Sequence, residues 1–122
     1  MIKKFIITGG AGFIGSALIR HIIKKTKHRV LNLDKLTYAG NIDSLKEIEK
    51  SKRYSFRKID ICNTKKVKKV FFKYKPDIII HLAAETHVDR SIDGPQDFIK
   101  TNILGTYNLL EEARNYFMNL KS

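Results

Sequence analysis

The stretch Thr8-Gly9-Gly10-Ala11-Gly12-Phe13-Ile14-Gly15 separates two segments of different hydrophobic pattern. Residues 2–8 form an apolar run that predicts a short buried strand, and residues 13–26 carry apolar residues at helical spacing. The turn can be read as GxGxxG beginning at Gly10 or as GxxGxxG beginning at Gly9. Either way, glycine permits a tight turn, close approach of the backbone to a diphosphate and close packing of helix on strand. Because a helix start presents unpaired N–H groups and partial positive charge, the pattern predicts a dinucleotide diphosphate site here.

A carboxylate follows the next predicted strand. Asp34 ends the apolar run 30–34 and stands 19 positions after Gly15. A carboxylate at that place can accept hydrogen bonds from both hydroxyls of an adenine ribose, and it would repel a 2′-phosphate. Asp34 therefore favours NAD over NADP as the cofactor, although the neighbouring Lys35 weakens the preference slightly.

The rest of the chain alternates between predicted strands and helices, which indicates crossover connections in a parallel sheet. Asn63 or Thr64 can cap one helix and Pro76 ends it, while Pro95 can begin the last helix. The predicted fold is α/β, a Rossmann-type parallel sheet with strand order 3-2-1-4 and helices on both faces, truncated after about four strands and a long helix. The remaining predicted strands are 30–34, 54–59 and 77–82. The remaining predicted helices are a short one within 42–50, one at 65–75 and one at 95–120.

The last predicted helix has one apolar side, which includes Ile103, Leu109, Leu110 and Phe117. Gly105 interrupts this helix and would weaken it relative to alanine unless a neighbour packs closely there. The pattern therefore predicts a close contact at Gly105.

Composition limits the classes of protein to which the chain can belong. Its 122 residues suffice for one domain, which we assign to residues 1–122 as an incomplete NAD-binding domain. The net charge of +12 is uneven, with 20 Lys/Arg and 5 Asp/Glu in residues 1–75 against 4 and 7 in residues 76–122. A lysine-rich solvated surface explains this better than a basic nucleic-acid-binding module, which stays an alternative, because aromatic residues are not interleaved with the basic ones.

A single cysteine, Cys62, excludes a disulfide framework and a multi-cysteine metal cluster. The four histidines show no metal-ligand spacing, and no apolar run is long enough to cross a membrane. We therefore expect a cytoplasmic protein with no metal site, no membrane partner and no nucleic-acid partner.

Four segments of the chain resemble the dTDP-glucose 4,6-dehydratases, which are extended short-chain dehydrogenases/reductases. The resemblance covers essentially the whole chain and corresponds to the N-terminal part of that family. The glycine turn is shared by the whole superfamily, whereas the second and fourth segments are much more specific. The segments are TGGAGFIGS at 8–16, DKLTYAGN at 34–41, Asp60-Ile61, and HLAAETHVDRSIDGP at 81–95 followed by FIKTNILGTYNLLEEAR at 98–114.

The resemblance implies NAD as the cofactor and gives its contacts by region. The backbone N–H groups of Phe13 and Ile14 meet the diphosphate, residues 34–37 surround the adenosine ribose, and residues 60–61 meet the adenine. Residues 82–86 lie under the nicotinamide half, and Thr86 also contacts the sugar substrate, although the family usually has Ser there. The complete set of implied cofactor residues is Gly9, Gly12, Phe13, Ile14, Gly15, Asp34, Lys35, Leu36, Thr37, Asp60, Ile61, Leu82, Ala83, Ala84, Glu85, Thr86 and Thr101.

The reaction that the resemblance implies is an internal redox cycle on dTDP-glucose. Hydride leaves carbon 4 for NAD⁺, water is lost across carbons 5 and 6, and hydride returns to carbon 6. The family's Thr-Asp-Glu cluster and Tyr-x-x-x-Lys pair have no counterpart in residues 1–122, so we assign no catalytic residue and expect the chain to be inactive alone. Tyr54 and Lys58 match that spacing, but they fall on a predicted strand, which makes the match coincidental.

Three other interpretations of the sequence stay open. The chain can be part of a sibling sugar-nucleotide epimerase or dehydratase, although residues 34–41 and 81–95 argue against this. It can be a non-catalytic remnant that binds NAD or a subunit, or the basic nucleic-acid-binding module considered above. In the family, the helix that corresponds to residues 95–120 contributes to a dimer, which implies a possible homodimer here.

Overall fold

The computed structural model describes residues 1–35, 42–83 and 100–120. The chain forms two compact units, each with its own packing. The first unit, Met1–Lys58 with Pro76–Ala83, contains the sheet and the glycine turn. The second unit contains the described residues 59–75 and 100–120, which form two packed helices.

The first unit is built on a parallel sheet of four strands in the order β3-β2-β1-β4. This order confirms the sequence prediction. Neighbouring residues along the two central strands are buried together, as Ile6 and Ile7 show with no exposed surface. Successive residues of a strand point to opposite faces, so both faces of the central strands are covered. The strands are β1 at Lys4–Thr8, β2 at Arg29–Leu33, β3 at Tyr54–Arg57 and β4 at Ile78–His81.

Helix α1, Phe13–Lys25, packs its apolar stripe in the core of this unit, as its helical spacing predicts. The short helix predicted within 42–50 is a single 3-10 helical turn, Ile42–Leu45, and irregular turns follow it. Leu45 and Ile48, three residues apart, are both buried in the core of this unit. The core consists of Ile7, Ile19, Ile22, Ile23, Val30, Leu45 and Ile48.

Helix α2 of the second unit, Thr64–Tyr74, begins and ends at specific signals. The side chain of Asn63 caps its start by accepting a hydrogen bond from the Lys66 N–H at 3.2 Å. Lys75 ends it in the left-handed conformation with φ of 59°, and the following Pro76 prevents continuation. The predicted span of 65–75 is therefore confirmed to within one residue, and of the two possible caps Asn63 is the one used.

The last predicted helix, 95–120, has a more complex structure where it is described. Residues 95–99 lie outside the described residues, Lys100–Gly105 form a π-helical turn, and α3 follows at Thr106–Asn119. A Cβ at Gly105 would lie 2.8 Å from the Ile61 side chain, so the predicted close contact at this glycine is confirmed.

The buried side of α3 differs from the predicted apolar side. Leu109 and Tyr116 are buried, whereas Ile103 and Leu110 are more than half exposed. The difference arises because α2 presents aromatic rings to α3. The ring of Phe71 meets that of Tyr116 edge-on, with centroids 6.0 Å apart, which draws the tyrosine into the core of this unit.

A side-chain hydrogen bond joins the C-terminal ends of β1 and β4. The Oγ1 atom of Thr8 lies 2.6 Å from Nδ1 of His81, its partner in the strand register. The same oxygen accepts hydrogen bonds from the N–H groups of Leu82 at 3.0 Å and Ala83 at 3.2 Å. A hydroxyl that accepts these two N–H groups can donate its own hydrogen to Nδ1 of a neutral His81.

The C-terminal end of α1 is held by the side chain of Arg53, which precedes β3. Its guanidinium donates to the carbonyl of Ile23 at 2.8 Å, of Thr26 at 2.9 Å and of His28 at 3.0 Å. The last carbonyls of a helix have no partner within it and carry partial negative charge. Arg53 therefore fixes α1, and with it the glycine turn at the other end, against the sheet.

We expect Arg53→Ala to lower the free energy of unfolding by about 2 kcal/mol, because it leaves three carbonyls without their charged donor. Arg53→Lys should recover only part of this loss, since an ammonium group cannot reproduce the planar fork. Urea denaturation measures both variants. Arg57→Ala, at an exposed position on β3, is the control and should change the stability by less than about 0.5 kcal/mol; equal losses at both positions would contradict the capping role.

We also expect stability to fall on acidification through His81. Burial lowers the pKa of His81 below its ordinary value of 6.5, so the unfolded chain takes up a proton at a higher pH than the folded one. Stability is therefore full above pH 6.5 and is lost as the pH falls from there toward the folded-state pKa. His81→Gln should flatten the profile of unfolding free energy against pH below neutrality, and an unchanged profile would contradict this role of His81.

Candidate nucleotide-binding site

The turn between β1 and α1 requires glycine at its first position. Gly9 has a φ of 72°, and a Cβ there would lie 2.7 Å from the backbone of Leu82 and Ala83. Its N–H donates to the carbonyl of Leu33 at 2.8 Å, and its own carbonyl accepts the N–H of Gly12 at 3.1 Å. The turn is thus tied to the end of β2 and closed on itself.

The next two N–H groups of the turn donate to two side chains, one within β2 and one directly after it. Oδ1 of Asn32 accepts the N–H of Gly10 at 3.0 Å, and Oδ2 of Asp34 accepts the N–H of Ala11 at 2.9 Å. The four successive N–H groups of residues 9–12 are therefore all paired within the protein. None of them has to be satisfied by a ligand.

The first turn of α1 has donors of a different kind. The first hydrogen bond of the helix runs from the Ser16 N–H to the Gly12 carbonyl at 2.9 Å, and Gly12 has no side chain that could cap the helix. Within the described residues, no protein acceptor meets the N–H groups of Phe13, Ile14 and Gly15. Phe13 is 91% exposed, so this end of the helix is open. The arrangement offers three N–H groups and the positive end of the helix dipole to an anion.

Gly12 and Gly15 serve different purposes in the turn. A Cβ at Gly15 would collide with the Gly9 carbonyl oxygen and lie 2.8 Å from the Gly10 Cα, so this glycine lets the helix pack on the turn. A Cβ at Gly12 would meet only the Gly9 carbonyl oxygen, at 3.4 Å, and otherwise open space. The space beside Gly12 adjoins the open donors of the helix and could hold a ligand.

Asp34, predicted as the ribose ligand, lies directly after β2 beside the glycine turn. Its N–H donates to the Arg57 carbonyl at 3.2 Å, and its carboxylate holds Ala11 as described above. The carboxylate therefore braces the turn, a role that sequence analysis missed, while its contact with a ribose stays a prediction. Lys35 is partly buried next to it, and Leu36 and Thr37 lie outside the described residues.

The predicted nicotinamide segment begins beside the same turn. Thr8 holds the N–H groups of Leu82 and Ala83 through its hydroxyl, and its carbonyl also accepts from Leu82 at 3.0 Å. These contacts place the start of the segment against Gly9. The other predicted residues of this segment, Ala84, Glu85 and Thr86, lie outside the described residues.

The predicted adenine contacts belong to the second unit. Oδ1 of Asp60 accepts the Cys62 N–H at 2.9 Å and forms the turn that leads into α2. Ile61 is buried against Gly105, so its side chain belongs to the core of that unit. Thr101 lies in the π-helical turn. Their roles toward a cofactor stay predictions.

Three residues outside the predicted cofactor set, Thr8, Asn32 and His81, also shape the turn. Asn32 is a fully buried polar side chain within an otherwise apolar strand, which is the signal that could have drawn attention to it. Thr8 and His81 gave no comparable signal, because a threonine at the end of a strand and a histidine beside an apolar run are both common. Tyr54 lies on β3, as expected, so the Tyr-x-x-x-Lys spacing does not form a helical pair.

Two findings concern metal ligands and membrane spans in the described part of the chain. Within residues 1–35, 42–83 and 100–120, no cluster of three or more His, Cys, Asp or Glu side chains could hold a metal ion. Among the same residues, no helix combines the length and apolar character that crossing a membrane requires.

Curated relatives are similar in sequence to nearly all of this chain. The chain is 61% identical over 117 residues to a dTDP-glucose 4,6-dehydratase of Escherichia coli. That match covers 96% of this chain and 32% of the relative, so the chain spans about a third of the length of the curated relatives it matches. It corresponds to their N-terminal portion.

Solved structures share the fold. The dTDP-glucose 4,6-dehydratase DesIV of Streptomyces venezuelae, crystallised with NAD, matches 93% of this chain and 36% of its own, with 38% identity and a TM-score of 0.86. The UDP-Glc/GlcNAc 4-epimerase of Campylobacter jejuni matches 96% of this chain and 35% of its own, with 32% identity and a TM-score of 0.84.

The family match agrees with the parallel sheet and the glycine turn. A sequence model of the family described as GDP-mannose 4,6 dehydratase matches residues 6–122. Because this match extends over nearly the whole chain, the protein belongs to the GDP-mannose 4,6 dehydratase family.

Proposed function

We propose that the chain binds NAD, with the diphosphate at the start of α1, and that it is the NAD-binding part of a dTDP-glucose 4,6-dehydratase. The observation that carries this proposal is the contrast between two sets of N–H groups. Those of residues 9–12 are paired within the protein, and those of Phe13, Ile14 and Gly15 are left open. A dinucleotide diphosphate provides the acceptor oxygens that such donors require.

The residues around the turn fit this cofactor in charge and in space. The open side of Gly12 leaves room for a phosphate next to the helix start. Asp34 stands at the end of β2, where a carboxylate binds ribose hydroxyls and repels a 2′-phosphate. Thr8 holds Leu82 and Ala83 beside the turn, where the nicotinamide half would extend. These features support NAD rather than NADP.

The proposed division of labour leaves the chemistry of dehydration to other residues of a full-length enzyme. The chemistry that NAD supplies when bound is reversible hydride transfer with the sugar. The residues of this chain would hold and orient the cofactor: Phe13 and Ile14 through their N–H groups, and Asp34 through its carboxylate. Thr86 is the one proposed contact to the sugar of dTDP-glucose. We assign no catalytic residue here and propose that this chain alone does not complete the dehydration.

Sequence identity, rather than fold, favours a dehydratase over an epimerase. The epimerase structure has nearly the same TM-score as the dehydratase structure, so the fold does not separate the two activities. The 61% identity to a curated dTDP-glucose 4,6-dehydratase separates them better. A cytoplasmic location, the lack of a nucleic-acid partner and the alternative of a non-catalytic remnant stay predictions from the sequence.

We further propose that the chain associates with a second copy through the segment 95–120. In its described part, one side of the π-helical turn and α3 carries large apolar side chains that are about 60% exposed: Ile103, Tyr107, Leu110 and Met118. These residues recur at helical spacing, and the buried Leu109 and Tyr116 lie on another side of the helix. An apolar stripe of this kind is typical of a helix that packs against another helix.

We expect Gly12→Val to weaken NAD binding at least about tenfold without lowering stability, because the added side chain enters the open space at the helix start. Gly15→Ala should instead lower the free energy of unfolding by about 2 kcal/mol or more, because its Cβ collides with the backbone of the turn. NAD titration by calorimetry and urea denaturation separate the two effects. Unchanged affinity in Gly12→Val would contradict a diphosphate site at this position.

We expect Leu110→Glu to weaken self-association at least about tenfold, because it places a charge within the apolar stripe. Asn115→Glu, at an exposed position of α3 outside the stripe, is the control and should leave association unchanged. Sedimentation velocity over a range of protein concentrations measures both variants. A wild-type chain that stays monomeric at about 100 µM, some hundredfold above a micromolar Kd, would contradict the proposal.

A further inference from the structure

We propose that Asn32 is a positioning residue for the diphosphate site, through which β2 sets the geometry of the glycine turn. This inference rests on the proposed function and adds a residue that neither the motif nor the comparisons assign. Asn32 contacts no ligand in this proposal. It acts through Gly10.

The burial of Asn32 shows that its amide group must be fully bonded. The side chain has no exposed surface, and its neighbours in β2 are apolar. A buried amide without partners costs several kcal/mol, about 2–7 depending on the reference state. Both ends of this amide have partners: Oδ1 accepts from the Gly10 N–H at 3.0 Å, and Nδ2 donates to the Tyr54 hydroxyl at 3.3 Å.

The orientation of the amide follows from its partners. A backbone N–H can only donate, so the atom that faces Gly10 must be the amide oxygen. This places the amide nitrogen toward Tyr54, whose hydroxyl can accept. Asn is therefore suited to the position, because it combines an acceptor for Gly10 with a donor for Tyr54 and carries no charge.

Asn32 and Asp34 act as a pair because they stand two residues apart. Side chains at that spacing point to the same face of a strand. They accept the N–H groups of the consecutive residues Gly10 and Ala11. The two acceptors differ in charge: the neutral Asn32 is fully buried, whereas the carboxylate of Asp34 is only partly buried.

Gly10 packs so closely on its neighbours that no other residue fits at this position. A Cβ there would collide with the amide of Asn32 and with the Ile19 side chain. Gly10 thus lies between the strand and the helix. The hydrogen bond that its N–H donates to Asn32 fixes the peptide that leads into the open donors of α1. Without this bond, the Gly10 N–H would be a buried donor without a partner, and the turn would relax to satisfy it.

The inference predicts that loss of Asn32 affects ligands with a diphosphate more than ligands without one. Asn32→Leu has a similar volume but no acceptor. It should weaken NAD and ADP-ribose binding about tenfold and adenosine binding less than about threefold. Tyr54→Phe, which removes only the partner of Nδ2, should give a smaller loss of NAD affinity. Asn115→Leu, the same substitution at an exposed position of α3, is the matched control.

NMR titration of each variant with NAD, ADP-ribose and adenosine provides the affinities, and hydrogen exchange of the Gly10 amide provides a readout that needs no ligand. We expect the Gly10 amide to exchange at least about tenfold faster in Asn32→Leu, whereas the β1 amides keep their protection. A wild-type chain that binds neither NAD nor ADP-ribose would overturn the proposed function and this role together. Normal NAD binding by Asn32→Leu, or an equal loss for all three ligands, would overturn only the positioning role.

If Asn32→Leu does not fold, Asn32→Asp tests the positioning role instead. It keeps an acceptor for Gly10, so the amide should stay protected, but it brings a negative charge beneath the diphosphate site. NAD affinity should then fall more than adenosine affinity, and the loss should shrink as salt is raised, because salt screens the repulsion. A loss that is equal for both ligands and independent of salt would overturn the inference.

Discussion

The constraint on which this structure depends is that a turn packed against a sheet must find acceptors for its own N–H groups. The glycine turn meets it with the Leu33 carbonyl, the amide of Asn32, the carboxylate of Asp34 and its own Gly9 carbonyl. Three of these four acceptors come from β2 or the residue after it. Because the turn is satisfied from within, the start of α1 keeps its own donors for an anion.

The same constraint explains why the glycines are not interchangeable. Gly9 permits a left-handed backbone against the segment that follows β4, and Gly15 permits the helix to approach the turn. Gly12 meets neither obstacle, and its hydrogen atom faces open space. Gly9 and Gly15 are therefore required by the fold, whereas Gly12 leaves the start of α1 accessible to a ligand. A spacing motif in the sequence marks all three in the same way and cannot separate these purposes.

Much of the sheet could be predicted from the sequence because its signals are local and strong. The apolar runs, the glycine turn and Pro76 give the strand order and most boundaries to within one or two residues. The 3-10 turn at Ile42–Leu45 could not be separated from a helix, because Leu45 and Ile48 fit either pattern at a spacing of three. The buried side of α3 could not be predicted either, because it depends on Phe71 and Phe72 of another helix, whose rings pack on Tyr116.

In the candidate site too, the residues of a local motif could be predicted, whereas residues that act through distant partners in the fold could not. The glycine turn and Asp34 follow from a known spacing, whereas Asn32, Thr8 and His81 act across 22 to 73 positions of sequence. Such partners are visible only when the strands are paired. A polar residue in an apolar strand, as at Asn32, indicates that the side chain has a buried hydrogen-bond partner. The sequence does not indicate that this partner is Gly10.

The pairing of β1 with β4 has a consequence for the order in which the protein acquires its structure. Thr8 and His81 are 73 residues apart, so their contact closes a much longer loop than the contact of β1 with β2. Long loops lose more chain entropy on closure and form later. During synthesis on the ribosome, β1, α1 and β2 emerge first and can assemble the turn, whereas Leu82 and Ala83 reach it only after β4 has left the exit tunnel. The contacts of the glycine turn with β2 can therefore form before its contacts with Leu82 and Ala83.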